Sequence, residues 1–170
     1  MTHFSQRART MALTAAKRAA LAGALFAGAA MAFAQGTSTP VGTWKTIDDS
    51  THQPKALVRI TQDSDGTLSG KVVKGLNPNE KPGRLCTACT DERKDQPMLG
   101  MTIIKSMKQD GDTWDDGNIL DPENGKVYKC KMHLEDGGNK LIVRGYIGVS
   151  LLGRSQTWIR EADDAAQAKN

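Results

Sequence analysis

The sequence predicts an all-β protein, an antiparallel up-and-down barrel of about eight strands. Two observations carry the strands. Between residues 41 and 160, short apolar runs with period-two alternation recur, each ending in a cluster of Asp, Gly, Asn or Pro. No long run with the 3.6-residue spacing of an apolar helix face interrupts them. A third observation suggests closure: Gln156-Thr157-Trp158 at the far end is expected to pair with Gly42-Thr43-Trp44 at the near end. About eight strands is the number at which such a barrel encloses side chains or one small ligand, and closure leaves no unpaired edge. A two-sheet sandwich shares the periodicity, so the barrel rests on that pairing of ends.

The chain begins with Arg7, Arg9, Lys17 and Arg18, followed by a charge-free run, Ala19 to Ala34. The run is shorter than the roughly 20 residues a membrane-spanning helix needs, and Ala32-Phe33-Ala34 is a small-x-small cleavage site before Gln35. Residues 1–34 therefore read as a secretory signal peptide, and the processed protein is expected to be periplasmic or secreted, without stable membrane insertion. Residues 35–40 are a short polar linker, 41–160 the barrel domain, and 161–170 a polar, Ala-rich flexible tail. Removing 1–34 takes four of the 23 Lys+Arg and none of the 19 Asp+Glu, so the processed chain carries no net basic charge. That balance, without a basic cluster, argues against nucleic acid as a partner.

The strands follow in order. Val41–Ile47 carries Trp44 and stops at Asp48-Asp49-Ser50, whose side chains favour turns. In Ala56–Thr61, Ala56, Val58 and Ile60 share one face. Asp65-Gly66 then turns the chain into Thr67–Lys74, the clearest hairpin in the sequence. Gly75–Pro97 has no period and holds Pro78, Pro82, Cys86 and Cys89; a loop of this length in a compact domain is commonly a lid or a binding loop. Asp91–Lys94 can form one helical turn within it. Strands resume at Met98–Met107, Thr113–Leu120, Lys126–Leu134, Lys140–Ile147 and Ser155–Arg160, separated by turns rich in Asp, Gly and Asn.

The set Gly42-Thr43-Trp44, the Cys86–Cys89 loop, Asp95-Gln96-Pro97-Met98-Leu99-Gly100, Asp121-Pro122-Glu123-Asn124-Gly125-Lys126-Val127-Tyr128, Val143-Arg144-Gly145-Tyr146-Ile147-Gly148 and Gly153-Arg154-Ser155-Gln156-Thr157-Trp158 resembles domain-of-unknown-function family 2147. The Gly-x-Trp element is also similar to the lipocalin signature. The resemblance implies an exported bacterial envelope protein with a calycin-like barrel and a cavity; it implies no reaction, substrate or catalytic residue.

Three cysteines remain to be placed. Cys86 and Cys89, spaced C-x-x-C in an exported chain, are expected to form a disulfide. A thiol-redox enzyme using the same pair is the weakest reading, because the following Thr-Asp-Glu-Arg-Lys-Asp offers acids rather than a helix N-terminus to lower a thiol pKa. Cys130 alternates with Tyr128, Met132 and Leu134 and is expected to be a buried free thiol. A zinc site from Cys86, Cys89, Cys130 and His133 fails because Cys130 and His133 point to opposite faces of a strand, so neither a metal nor another cofactor is expected. No nucleophile elbow or phosphate loop is present, and no enzymatic activity is expected.

Two functions stay open. In the first, the barrel holds a small apolar or amphipathic molecule lined by Tyr128, Met132, Arg144 and Tyr146, with Arg144 orienting an anionic group. In the second, the barrel is filled by its own side chains and the protein is an envelope interaction module working through Gly75–Pro97. Trp44, Arg154 and Trp158 are expected at the barrel closure, with Arg154 packed over one of the tryptophans.

Overall fold

The computed structural model describes residues 39–162. The predicted signal peptide, most of the linker and most of the tail lie outside the described residues. The strands are β1 (Gly42–Ile47), β2 (Pro54–Gln62), β3 (Leu68–Gly75), β4 (Thr102–Asp110), β5 (Thr113–Asp121), β6 (Lys126–Glu135), β7 (Lys140–Tyr146) and β8 (Gly153–Glu161). Each pairs antiparallel with the next, and β8 pairs with β1, so the sheet closes into an eight-stranded barrel.

The closure differs in register from the expected one. Trp44 stands opposite Arg160 and Lys45 opposite Ile159, while Gln156, Thr157 and Trp158 pair with Val143, Ile142 and Leu141 of β7. Strand alternation fixes which face a residue occupies but not how far one strand slides along another. β4 also starts later than Met98: Gly100 takes a positive φ of 84°, and Met98–Met101 forms a turn whose Gly100 N–H donates to the Val72 carbonyl at 2.7 Å. Asp91–Lys94 is a single hydrogen-bonded turn, with Lys94 N–H to the Asp91 carbonyl at 2.9 Å.

One end of the barrel is packed solid. Trp44, Ile60, Leu68, Met107, Trp114, Met132 and Leu141 project inward there and are almost fully buried. Their positions follow from parity: on β6, Cys130 and Met132 are buried while the adjacent Lys129 and Lys131 are not. Arg160 caps this end, its guanidinium 4.1 Å from the centre of the Trp44 ring. It donates Nε to the Gly138 carbonyl at 2.6 Å, Nη1 to Val41 at 3.0 Å and Nη2 to Thr39 at 2.8 Å. One arginine thus ties the incoming chain and the β6–β7 turn to the core tryptophan, whose indole N–H donates to the Pro40 carbonyl at 2.7 Å.

Tight packing here demands a glycine. The β4–β5 ladder is interrupted between Lys105–Asn118 and Lys108–Asp115, with Ser106 and Asp116 each at φ 59°. A Cβ on Gly117 would run into the Met107 sulfur and stand 2.5 Å from the Lys105 carbonyl oxygen.

Candidate ligand-binding cavity

At the opposite end the inward side chains stop filling the barrel. Val58, Val72, Ile119, Tyr128, Val143 and Gly145 form walls around a cavity of about 890 Å³ that opens to solvent. Trp158 and Gln156 lie on one side of it, and four loops form its rim: 48–53, 76–101, 122–125 and 147–152. Volumes of this order accommodate small organic ligands.

The floor passes close to Cys130. Register places Gly117, Cys130 and Gly145 in one row across β5, β6 and β7. Cys130 is a free thiol with no exposed surface. Burial, which disfavours the thiolate, pushes it up to about 12. Gly145 widens the cavity: a Cβ there would meet only Ile119 and Tyr128, both at an ordinary 3.5 Å.

Several polar groups of the mouth are paired with one another. Arg84 donates to Glu80 at 2.6 Å and to Glu123 at 2.8 Å, and Lys55 lies 3.5 Å from Glu123. The hydrogen bond from Arg84 holds the Glu123 carboxyl below its usual range, so this bridge is ionised at neutral pH. Across the mouth, Arg154 and Gln156 both donate to the Asp49 carboxylate. Asp48 is held low by the Thr51 backbone N–H and marks a tight turn rather than a proton-transfer group. These charged groups of the rim are thus neutralised in pairs above an apolar interior.

The long loop is tied at several points. Cys86 and Cys89 form a disulfide with Cα atoms 5.4 Å apart, and Leu85 bridges Pro97. Arg93, almost fully buried, grips the Asp91 carboxylate and donates to the Thr102 carbonyl at 3.1 Å, fastening the loop to β4. Gly125 packs so closely on the Ala88 carbonyl that no side chain fits between them. These contacts explain how 26 residues between β3 and β4 stay ordered without strands of their own.

Of the sequence-predicted lining residues, Tyr128 faces the cavity, and its hydroxyl accepts from Asn124 Nδ2 at 3.3 Å. Met132 points inward but lies buried in the packed end, away from the cavity. Arg144 faces outward, where Nε donates to the Ser150 carbonyl at 2.8 Å and Nη1 to Ser155 Oγ at 3.0 Å. Tyr146 lies at the cavity edge on the same outward parity. Both faces of this strand carry apolar residues; Leu141, Val143 and Gly145 take the inside, which turns Arg144 out. Arg154 stacks on neither tryptophan, since its partner is Asp49; Arg160 occupies the place over Trp44. His133 is a half-buried strand residue bonded to Glu135 at 3.2 Å.

Gln156, Arg84 and Gly145 were not singled out from the sequence. Gln156 shares inward parity with Trp158, and a glycine inside a strand signals a close approach or an open space; those two were readable. Arg84 was not, because its partners come from 80 and 123, which only the folded loop brings together.

A profile for uncharacterized proteins conserved in bacteria, DUF2147, matches residues 42–160, the whole barrel. The chain belongs to that family. Among solved structures, the DUF2147 chain is similar to protein HP1028 from the human pathogen Helicobacter pylori, described as belonging to the lipocalin family. The TM-score is 0.64 at 14% identity, over 77% of this chain and 88% of that one. At that identity the likeness shows a shared fold, so the DUF2147 barrel is lipocalin-like in architecture. No curated protein matches the DUF2147 chain.

Proposed function

We propose that the protein is an exported carrier that holds a small apolar or amphipathic molecule in the open half of its barrel. The observation that carries this reading is the abrupt change along the barrel axis: a packed, arginine-capped end gives way to an apolar-walled cavity of about 890 Å³. A side-chain-filled barrel has no use for Gly145 at an inward position where a methyl group would make only ordinary contacts. The polar groups near the mouth, Gln156, Asp49 and Tyr128, suit the head of an amphipathic ligand whose tail enters between Val58, Val72 and Val143. Binding rather than catalysis is the reading because the rim acids are committed to ion pairs and turns.

Export is part of the proposal, supported by the charge-free run Ala19 to Ala34 after a basic segment and by the Cys86–Cys89 disulfide, a bond that persists in oxidising compartments. Native mass spectrometry of protein purified from its own envelope tests the carrier. A retained apolar or amphipathic molecule, released on unfolding, is the expected result. Consistently ligand-free protein that also fails to take up such molecules from an envelope lipid extract would remove the proposal.

A further inference from the structure

The cavity mouth bears a surface feature that the barrel's own packing does not explain. Between β7 and β8, Ile147, Val149, Leu151 and Leu152 are 64%, 61%, 89% and 78% exposed, and Leu99 on another rim loop is 65% exposed. Single exposed aliphatic residues are ordinary, whereas a cluster of this density marks an interaction surface. The loop backbone is held: Arg144 donates to the Ser150 and Leu151 carbonyls at 2.8 and 3.2 Å, and Leu152 N–H donates to the Val149 carbonyl at 3.1 Å. A fixed backbone therefore displays these side chains to solvent.

Charge identifies the partner. Lys126 and Lys129 lie on β6, the strand paired with β7, and Lys81 lines the same cavity mouth as Leu99, Ile147 and Leu152. Lys126, Lys129 and the rim residue Lys81 are exposed and make no ion pair among the described residues. Exposed apolar side chains on a mouth that also carries unpaired lysines, with more on the neighbouring strand, complement an anionic bilayer, where the first enter the headgroup–acyl boundary and the second meet the headgroups.

We propose that the barrel docks mouth-first on an anionic lipid surface, inserting the 147–152 loop. Ile147, Leu152 and Leu99 also line the cavity, so the docked mouth faces the acyl region. This extends the carrier reading by giving a sparingly soluble ligand a route that avoids water. The docking is measured without any ligand, and the two readings fail separately.

The test is flotation of the protein with vesicles of phosphatidylethanolamine and phosphatidylglycerol, compared with phosphatidylcholine alone. The protein should float with the anionic vesicles. Val149→Asp/Leu151→Asp should lower its partitioning by roughly tenfold or more. Neither residue lines the cavity, so melting temperature and N-phenyl-1-naphthylamine binding should stay unchanged. Lys126→Glu/Lys129→Glu should weaken binding to the anionic vesicles specifically. Absence of flotation, or flotation unaffected by Val149→Asp/Leu151→Asp, would overturn the proposal. So would a dimer that this double substitution splits without any vesicle binding, which would assign the loop to a second copy of the chain. Flotation with no cavity binding of the naphthylamine would uphold docking and remove the carrier.

Discussion

Cys130 has a glycine on either side of it in the sheet, and the two glycines serve opposite ends of the barrel. Gly117 is small because Met107 and the β4 backbone occupy the space its side chain would take; Gly145 is small with room to spare. The same residue type, in the same row and with the same inward parity, closes one half of the molecule and opens the other. Composition therefore does not separate core from cavity here; what lies opposite each position does. The closed half has Trp44, Trp114, Met107 and Met132 converging under Arg160, whereas the open half has valines, a glycine and a tyrosine that do not meet across the axis.

The largest expected effect breaks the closed half. Trp44→Ala removes the centre of that core and leaves Arg160 without the ring beneath it, and should cost about 3–5 kcal/mol in chemical denaturation. A loss well under this range would mean that the end is loosely packed and the contrast between the halves is false.

The paired glycines sharpen the comparison at smaller cost. Gly117→Ala should destabilise by about 1–3 kcal/mol through overpacking against Met107. Gly145→Ala, with its new methyl in ordinary contact, should be neutral or stabilising by about 0.5 kcal/mol. Equal effects at the two positions would contradict the division of the barrel.

The smallest effect concerns the long loop at the open end. The Asp91 carboxyl is lowered from 3.8 to about 2, chiefly by hydrogen bonding to the Arg93 side chain. A folded pKa below the unfolded one stabilises fully above the unfolded value, and that contribution is lost as pH falls through the folded value. The Arg93 side-chain N–H resonance should therefore shift with a midpoint near pH 2 and stay constant above about pH 4. A midpoint near 4 would mean that Arg93 does not hold the loop through Asp91.

Much of the scaffold was legible because local chemistry dictates it. Asp65-Gly66 and Asp136-Gly137-Gly138 sit in the turns their backbone freedom suits, and the alternation of Val58 and Ile60 gave the inward face of β2 directly. The disulfide followed from a three-residue spacing that its geometry accepts. The candidate site was less legible where the sequence is symmetric: with apolar residues on both faces of β7, parity alone could not say whether Arg144 or Val143 looked inward. The closing register was equally silent, so the arginine over Trp44 was sought at 154 rather than 160. Met132 and Tyr128 share a face, and only the axial position of the floor, a property of eight strands together, separates core from cavity.

The most direct test of the central claim fills the open half from within. In Gly145→Leu the new side chain extends into the cavity beside Ile119 and Tyr128, and N-phenyl-1-naphthylamine titration of this variant should show weakened binding while the melting temperature is kept or raised. Undiminished probe binding by a folded Gly145→Leu protein would contradict the account, because the probe would then sit somewhere other than inside the barrel.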